Sequence, residues 1–173
     1  MQAKEMVDVF RRGFAVKRCH TYPIHGEYSV GSHTVNMLVI GRYLSYANGV
    51  LTPWHEILIH DIPEQYTGDL QTHVKRDNPE LKKIMTDVED TWFERLGFDE
   101  ASYKLEGLNK KIVKAADLLE FFAFCIDQKQ LGNNIDEQAV KCVEYLEPLY
   151  DDVLGVKELT EGFQETYDAV GRA

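Results

Sequence analysis

The stretch over residues 109–130 constrains the fold more than any other. Written as a helix, it carries Ile112, Val113, Ala115, Ala116, Leu118, Leu119, Phe121, Phe122 and Phe124, and so is apolar on nearly every face. A helix of that kind has to be surrounded by other elements. The rest of the chain supplies them with the same 3.6-residue period. A helix over 32–47 has Val35, Leu38, Val39 and Tyr43 as its expected buried stripe. Pro79 starts another, with Leu81, Ile84, Met85, Val88, Trp92 and Leu96 on one side and Gly97 closing it. A short helix over 4–12 groups Met6, Val7 and Phe10, and two helices over 136–153 and 157–170 finish the chain. Thr52 predicts an N-cap with Pro53 at the first helical position of a helix running through Asp61. Pro63 forces a kink or restart, because it has no backbone N–H to donate. Residues 13–31 are irregular, and a loop is expected up to Asn78. No stretch alternates with period two, so the expectation is one all-α domain over residues 1–173, a helical bundle with the Asp117 helix central.

Composition narrows what such a bundle binds. The 173 residues carry 29 acidic and 19 basic side chains, a net charge of −10. That balance repels phosphate backbones and anionic lipid, which excludes a nucleic-acid polymer or a membrane surface as partner, yet leaves room for a local pocket around a small phosphate. The three cysteines are irregularly spaced and match neither a disulfide framework nor a thiolate zinc site. The first residues lack a signal-peptide pattern, and no run of about 18 apolar residues could span a bilayer. The expectation is a cytoplasmic protein.

Asp117 stands inside the apolar helix, in IVKAADLLEFFAFCI. A carboxylate in a dry interior costs several kcal/mol unless paired or bound to a metal. Lys114, one turn away, offers the pairing. The alternative needs further ligands, and LIHDIPE supplies His60 and Asp61 side by side, while SVGSHTVNML supplies His33. Imidazole with carboxylate suits a divalent transition metal; a hydrogen-bonded His-Asp pair would look the same. Three helices nonetheless contribute these groups, which is more than a dipeptide's coincidence.

The segments VKRCHTYPIHGEYSVGSH, LIHDIPEQYTGDLQTHVK and VKAADLLEFFAFCIDQKQLGNN resemble the HD-domain metal-dependent phosphohydrolases, and within them the bacterial and phage 5′-deoxynucleotidases. The TGD-x-x-T-x-VK continuation is more specific than the His-Asp pair itself. The resemblance implies an HD fold in which His33, His60, Asp61 and Asp117 bind one divalent ion (Mn, Co, Zn or Mg), which would neutralise phosphoryl charge and lower the pKa of a bound water. It implies a proton-transfer role for Glu64, otherwise a solvated acid at a helix restart. It makes Arg18 and Lys75 the phosphate clamp, sets Asp69 against the sugar 3′-hydroxyl, and leaves Thr72 supporting that loop. The residue after Arg18 is often Trp in this group, where it rejects a ribose 2′-hydroxyl; here it is Cys19. A side chain that small cannot fill the volume, so that selectivity is absent or falls to Tyr22, Tyr28 or another residue.

The function implied is release of phosphate from deoxynucleoside 5′-monophosphates by a homo-oligomeric enzyme. Its nearest rival is a triphosphohydrolase acting on deoxynucleoside triphosphates, as in short phage HD proteins that remove dATP. A non-catalytic HD nucleotide-binding module is the rival of another class, and a cyclic-nucleotide phosphodiesterase would need more His and Asp positions. His20, His25 and His73 read as loop groups, His55 as solvated, and Phe121, Phe122 and Phe124 as core.

Overall fold

A computed structural model describes residues 2–70 and 72–170, with the side chains of 72, 73, 101 and 102 outside the description. In chain order the helices are α1 (Ala3–Phe14), α2 (Val30–Ala47), α3 (Trp54–Ile59), α4 (Glu64–Thr67), α5 (Thr72–Asp77), α6 (Pro79–Leu96), α7 (Glu100–Tyr103), α8 (Gly107–Gln130), α9 (Asp136–Leu146) and α10 (Val156–Ala169), with a 3₁₀ turn at Glu147–Leu149. Among the described residues there is no strand, only one antiparallel bridge between Lys17 and Ser29. The all-α expectation holds, and no described helix is long and apolar enough to cross a membrane.

α8 is the centre, packed by α2, α9 and α10. Its Ile112, Leu119 and Phe122 are fully buried with Met37 and Leu44 of α2, Ile57 of α3 and Leu146 of α9. A second, smaller core joins Val9 of α1 to Ile59, Ile62, Phe93 and Leu96. Two glycines permit the close approaches that bring these layers to one place. A Cβ on Gly41 would lie 2.6 Å from Ile57 Cδ1, so a side chain there would have to push the Ile57 tip aside where α2 packs on α3. A Cβ on Gly13 would lie 2.7 Å from Ile62 Cδ1 and 3.3 Å from its Cα, which seats α1 against the turn following α3.

The expected faces need correction. On α2, Val35 is 62% and Val39 69% exposed, with Tyr43 also outside, while Val30, His33, Thr34, Met37, Gly41, Leu44 and Ser45 face inward. The buried face is the one with small and hydrogen-bonded residues, because close packing on α3 and α8 selects for fit over apolarity; Ser45 Oγ donates to the Gly41 carbonyl at 2.7 Å. Likewise Met6 and Val7 of α1 and Ile84 of α6 are exposed, and Val9, Met85, Phe93 and Leu96 carry the packing. Pro53 is the N-cap of α3 and not its first residue, and that helix ends at Ile59, leaving His60 and Asp61 in a turn before Pro63, the N-cap of α4. The short α5 and α7 occupy stretches expected to be loop, and the segment after Leu146 breaks into the 3₁₀ turn at Pro148.

Candidate active site

The irregular segment before α2 is an ordered excursion whose two arms are tied together. The Val30 N–H donates to the Val16 carbonyl and the Arg18 N–H to the Tyr28 carbonyl, both at 2.9 Å. This returns Arg18 to the N-terminus of α2. There Ser29 caps the helix, its Oγ accepting from the Ser32 N–H at 3.2 Å. His33 follows one turn in and is fully buried.

The imidazole of His33 has two distinct neighbourhoods. Nδ1 meets the carboxylate of Glu120, which also accepts from the Tyr28 hydroxyl and, at 3.2 Å on its other oxygen, from Asn36 Nδ2. A carboxylate only accepts, so Nδ1 carries the proton. Nε2 then faces Asp117 Oδ1 at 3.3 Å and Asp61 Oδ2 at 3.8 Å. His60 is oriented the same way by other means: its Nδ1–H donates to the Ile57 carbonyl at 2.7 Å, and Nε2 lies 3.1 Å from Asp61 Oδ2. Both Nε2 atoms are buried without a hydrogen-bond partner. One ligand atom each from His33, His60 and Asp117 lies within 4.8 Å of the others, a spacing that suits a single cation.

Asp117 does not sit in a dry interior. Its side chain is 26% exposed on a cavity wall, with Oδ1 toward His33 and Oδ2 accepting from Lys114 Nζ at 2.9 Å, so the lysine pair and the imidazole contact coexist. The acid buried in α8 is Glu120, 2% exposed and unassigned by the sequence reading. Its signal was there: in DLLE it lies three residues after Asp117, on the same side of a helix otherwise apolar.

Arg18 reaches into the cluster. Its guanidinium pairs with Asp61, has Nη2 3.8 Å from Asp117 Oδ1, and lies over the Tyr28 ring at 5.6 Å. Against the cost of burial, His60 and Arg18 hold Asp61 well below the usual carboxylate range, and Lys114 and His33 do the same for Asp117. Burial and Arg18 act to lower His33, but Asp117 and Glu120 outweigh them and lift it to about 9. Glu64, the first residue of α4, is buried rather than solvated. Burial and then the Asp61 carboxylate push it up to about 9, so its carboxyl is protonated at neutral pH. Its Oε2 has no hydrogen-bond partner.

Asp69 Oδ2 accepts from the Cys19 N–H at 3.0 Å. Cys19 adopts φ 55°, rare for a side-chain-bearing residue, and burial first of all raises its thiol to about 12. Lys75 Nζ stands 3.6 Å from Glu89 of α6 and does not line the cavity that Arg18, Cys19, Asp69 and Asp117 share. Thr72 begins α5, but its side chain, like that of His73, lies outside the described residues. The cavity encloses about 110 Å³ and opens to solvent at its mouth. Of the two tyrosines considered for sugar selectivity, Tyr22 lines it, whereas Tyr28 is turned inward onto Glu120. Phe121 is half-buried, packed against the core and also lining the cavity; Phe122 is core, and Phe124 stacks on Tyr28 at 3.9 Å. His25 is engaged elsewhere, its backbone exchanging hydrogen bonds with the Gln128 carboxamide.

The family model of YfbR-like 5′-deoxynucleotidases matches residues 14–150. The chain belongs to that family. A 5′-deoxynucleotidase of Vibrio atlanticus (strain LGP32) is 29% identical over 136 residues, covering 67% of this chain and 70% of the relative. The cyanophage S-2L HD phosphohydrolase DatZ, solved with dA and one catalytic Zn²⁺ ion, superposes with a TM-score of 0.70 at 21% identity over 97% of each chain. That likeness shows the HD fold. The span matched by the YfbR-like family takes in the whole cluster from Arg18 to Glu120, both walls of the cleft included.

Proposed function

We propose that this YfbR-like protein is a metal-dependent phosphohydrolase that removes phosphate from deoxynucleoside 5′-monophosphates. The observation that carries the reading is the meeting of His33 Nε2, His60 Nε2 and an Asp117 oxygen, with both imidazole nitrogens buried and without a hydrogen-bond partner. The two partnerless imidazole nitrogens fit a divalent cation, because burying them otherwise leaves their hydrogen-bonding capacity unused. His33, His60 and Asp117 would hold it, with Asp61 as the fourth ligand once Arg18 shifts toward phosphate. Such an ion (Mn, Co, Zn or Mg) supplies charge neutralisation and an activated water.

The chain's own residues do the rest. Arg18 presents a planar fork to phosphate oxygens, with the Tyr28 ring beneath it. Glu64 holds a proton at neutral pH and delivers it to the departing 5′-oxygen, after which its carboxylate can take one from water. Asp69, aligned by the Cys19 N–H, accepts from the 3′-hydroxyl. Lys75, paired with Glu89, supplies positive potential near the site instead of a direct grip. Thr72 retains its role in the Asp69 loop as part of this proposal. The exposed row of Val35, Val39 and Tyr43 on α2 supports assembly with further copies of the chain; sedimentation as a monomer would remove that element of the proposal.

The deciding experiment incubates the protein with each dNMP and dNTP in the presence of Mn²⁺, Co²⁺, Zn²⁺ or Mg²⁺ and resolves phosphate from triphosphate. Phosphate from monophosphates is the expected product. Triphosphate from dNTPs would replace the reading with the triphosphohydrolase, and binding without turnover would make the protein a nucleotide-binding module.

A further inference from the structure

The cleft continues past the catalytic cluster between α8 and α9. Lys114, Asp117, Leu118 and Phe121 lie at i, i+3, i+4 and i+7 of α8, and Gln138, Lys141, Cys142 and Tyr145 repeat that spacing on α9, so each helix gives the cavity one continuous face. The polar end of the α8 row is the site already described. Beyond Asp117 the α8 wall becomes apolar, with Leu118 and Phe121, while α9 faces it with Gln138, Lys141, Cys142 and Tyr145.

The aromatic rings on the two walls are held in place before any ligand arrives. Phe121 stacks on Phe124 with ring centroids 6.0 Å apart, and Phe124 stacks in turn on Tyr28 at 3.9 Å. Tyr145 is anchored by its hydroxyl, which accepts from Arg76, and the Arg76 guanidinium lies over its ring at 5.9 Å. Rigid rings that lose little freedom on binding are what a flat, π-faced ligand needs. Lys141 is paired with Glu137. Gln138 is half-buried, and among the described residues its carboxamide has no hydrogen-bond partner although it lines the cavity. A carboxamide offers a donor and an acceptor side by side, the pattern that pairs with the edge of a nucleobase.

We propose that the nucleobase lodges between α8 and α9 against Phe121 and Tyr145, with its hydrogen-bonding edge read by Gln138. This rests on the deoxynucleotide reading above and assigns the end of the cleft that the catalytic residues leave open. The base would then contribute to KM, and Gln138 would determine which base is preferred.

The test compares kcat/KM for the four dNMPs and for 2-deoxyribose 5-phosphate, which has the sugar and phosphate but no base, using the metal-loaded enzyme. The wild type is expected to favour nucleotides over the base-free ester. Gln138→Ala should narrow that ratio by about tenfold or more through KM, and Phe121→Leu should narrow it also. Gln138→Glu, with acceptors only, should shift preference toward dGMP, whose N1–H and N2 amine are adjacent donors. If the ratio and the base order stay unchanged in Gln138→Ala and Gln138→Glu while both hydrolyse nucleotides, the base lies elsewhere and the inference is overturned. Absence of phosphate release from every ester by the wild type would instead overturn the monophosphatase reading beneath it.

Discussion

Two glutamates in this protein have the same side chain and opposite surroundings. Glu64 is buried beside an anion and keeps its proton up to about pH 9. Glu120 is buried among donors (Tyr28, His33 and Asn36) and accepts from all three. Removing the first should affect proton delivery; removing the second should affect the imidazole that it aims. Glu64→Gln is therefore expected to bind metal normally and to lose about 10²–10⁴-fold in kcat. Glu120→Ala is expected to lose about 10–100-fold in metal affinity, with kcat largely recovered at saturating metal. A chelator-competition titration alongside steady-state kinetics separates the two, and equal metal affinity in all three proteins would refute the positioning role of Glu120. The sequence marked Glu64 through its motif. Glu120 escaped because a carboxylate within an apolar helix looks the same whether it is a ligand or supports one, and only His33 lying across from it tells which.

At the level of elements, the site depends on how closely helices approach one another. α2 delivers His33, the turn after α3 delivers His60 and Asp61, and α8 delivers Asp117; Gly41 and Gly13 set two of the intervening distances. Gly13→Val would place a side chain against the Ile62 backbone, which cannot swing aside as a side-chain tip can. Overpacking of this kind costs about 1–3 kcal/mol, and here it also displaces the residue next to Asp61. Urea denaturation should show a loss of that size, and metal affinity should fall with it. Unchanged affinity in a destabilised variant would mean that α1 does not help position the turn. The helices themselves were legible: α2, α6 and α8 begin and end within a few residues of the caps and breakers in the sequence. Their inward faces were less so. Val35, Val39 and Tyr43 form a good helical stripe, yet a helix with apolar residues on several sides has more than one, and tertiary fit selected the stripe containing Gly41 and Ser45.

For the molecule as a whole, the cluster carries charges that fold together at some cost. In the metal-free protein His33 is raised from 6.5 to about 9, so its contribution to stability is complete below about pH 6.5 and is lost as pH rises through about 9. Glu64, raised from 4.5 to about 9, acts in the same direction, because its buried carboxyl tolerates ionisation poorly. Asp61 and Asp117, both held low, contribute above the ordinary carboxylate range and lose that contribution in acid. Thermal melts in chelator should therefore show Tm falling between pH 7 and pH 9, and saturating metal should flatten the slope by taking the place of the His33 proton. A Tm that rises over this interval without metal would contradict the arrangement.

The amino-acid sequence by itself determined the all-α architecture, the centrality of α8 and the family, because periodicity, caps and the His-Asp and TGD segments are local patterns readable along the chain. It also named the groups that could meet at a cation. Tertiary structure decided how they come together and from which side: Nε2 rather than Nδ1 of both imidazoles, Asp117 on a cavity wall shared with Lys114, Arg18 folded back onto Asp61, and Phe121 shared between the core and the cleft. These are matters of distance and direction between residues as many as 99 positions apart, such as Arg18 and Asp117. Burial and pairing at such range set both geometry and protonation, and neither is written in any one segment.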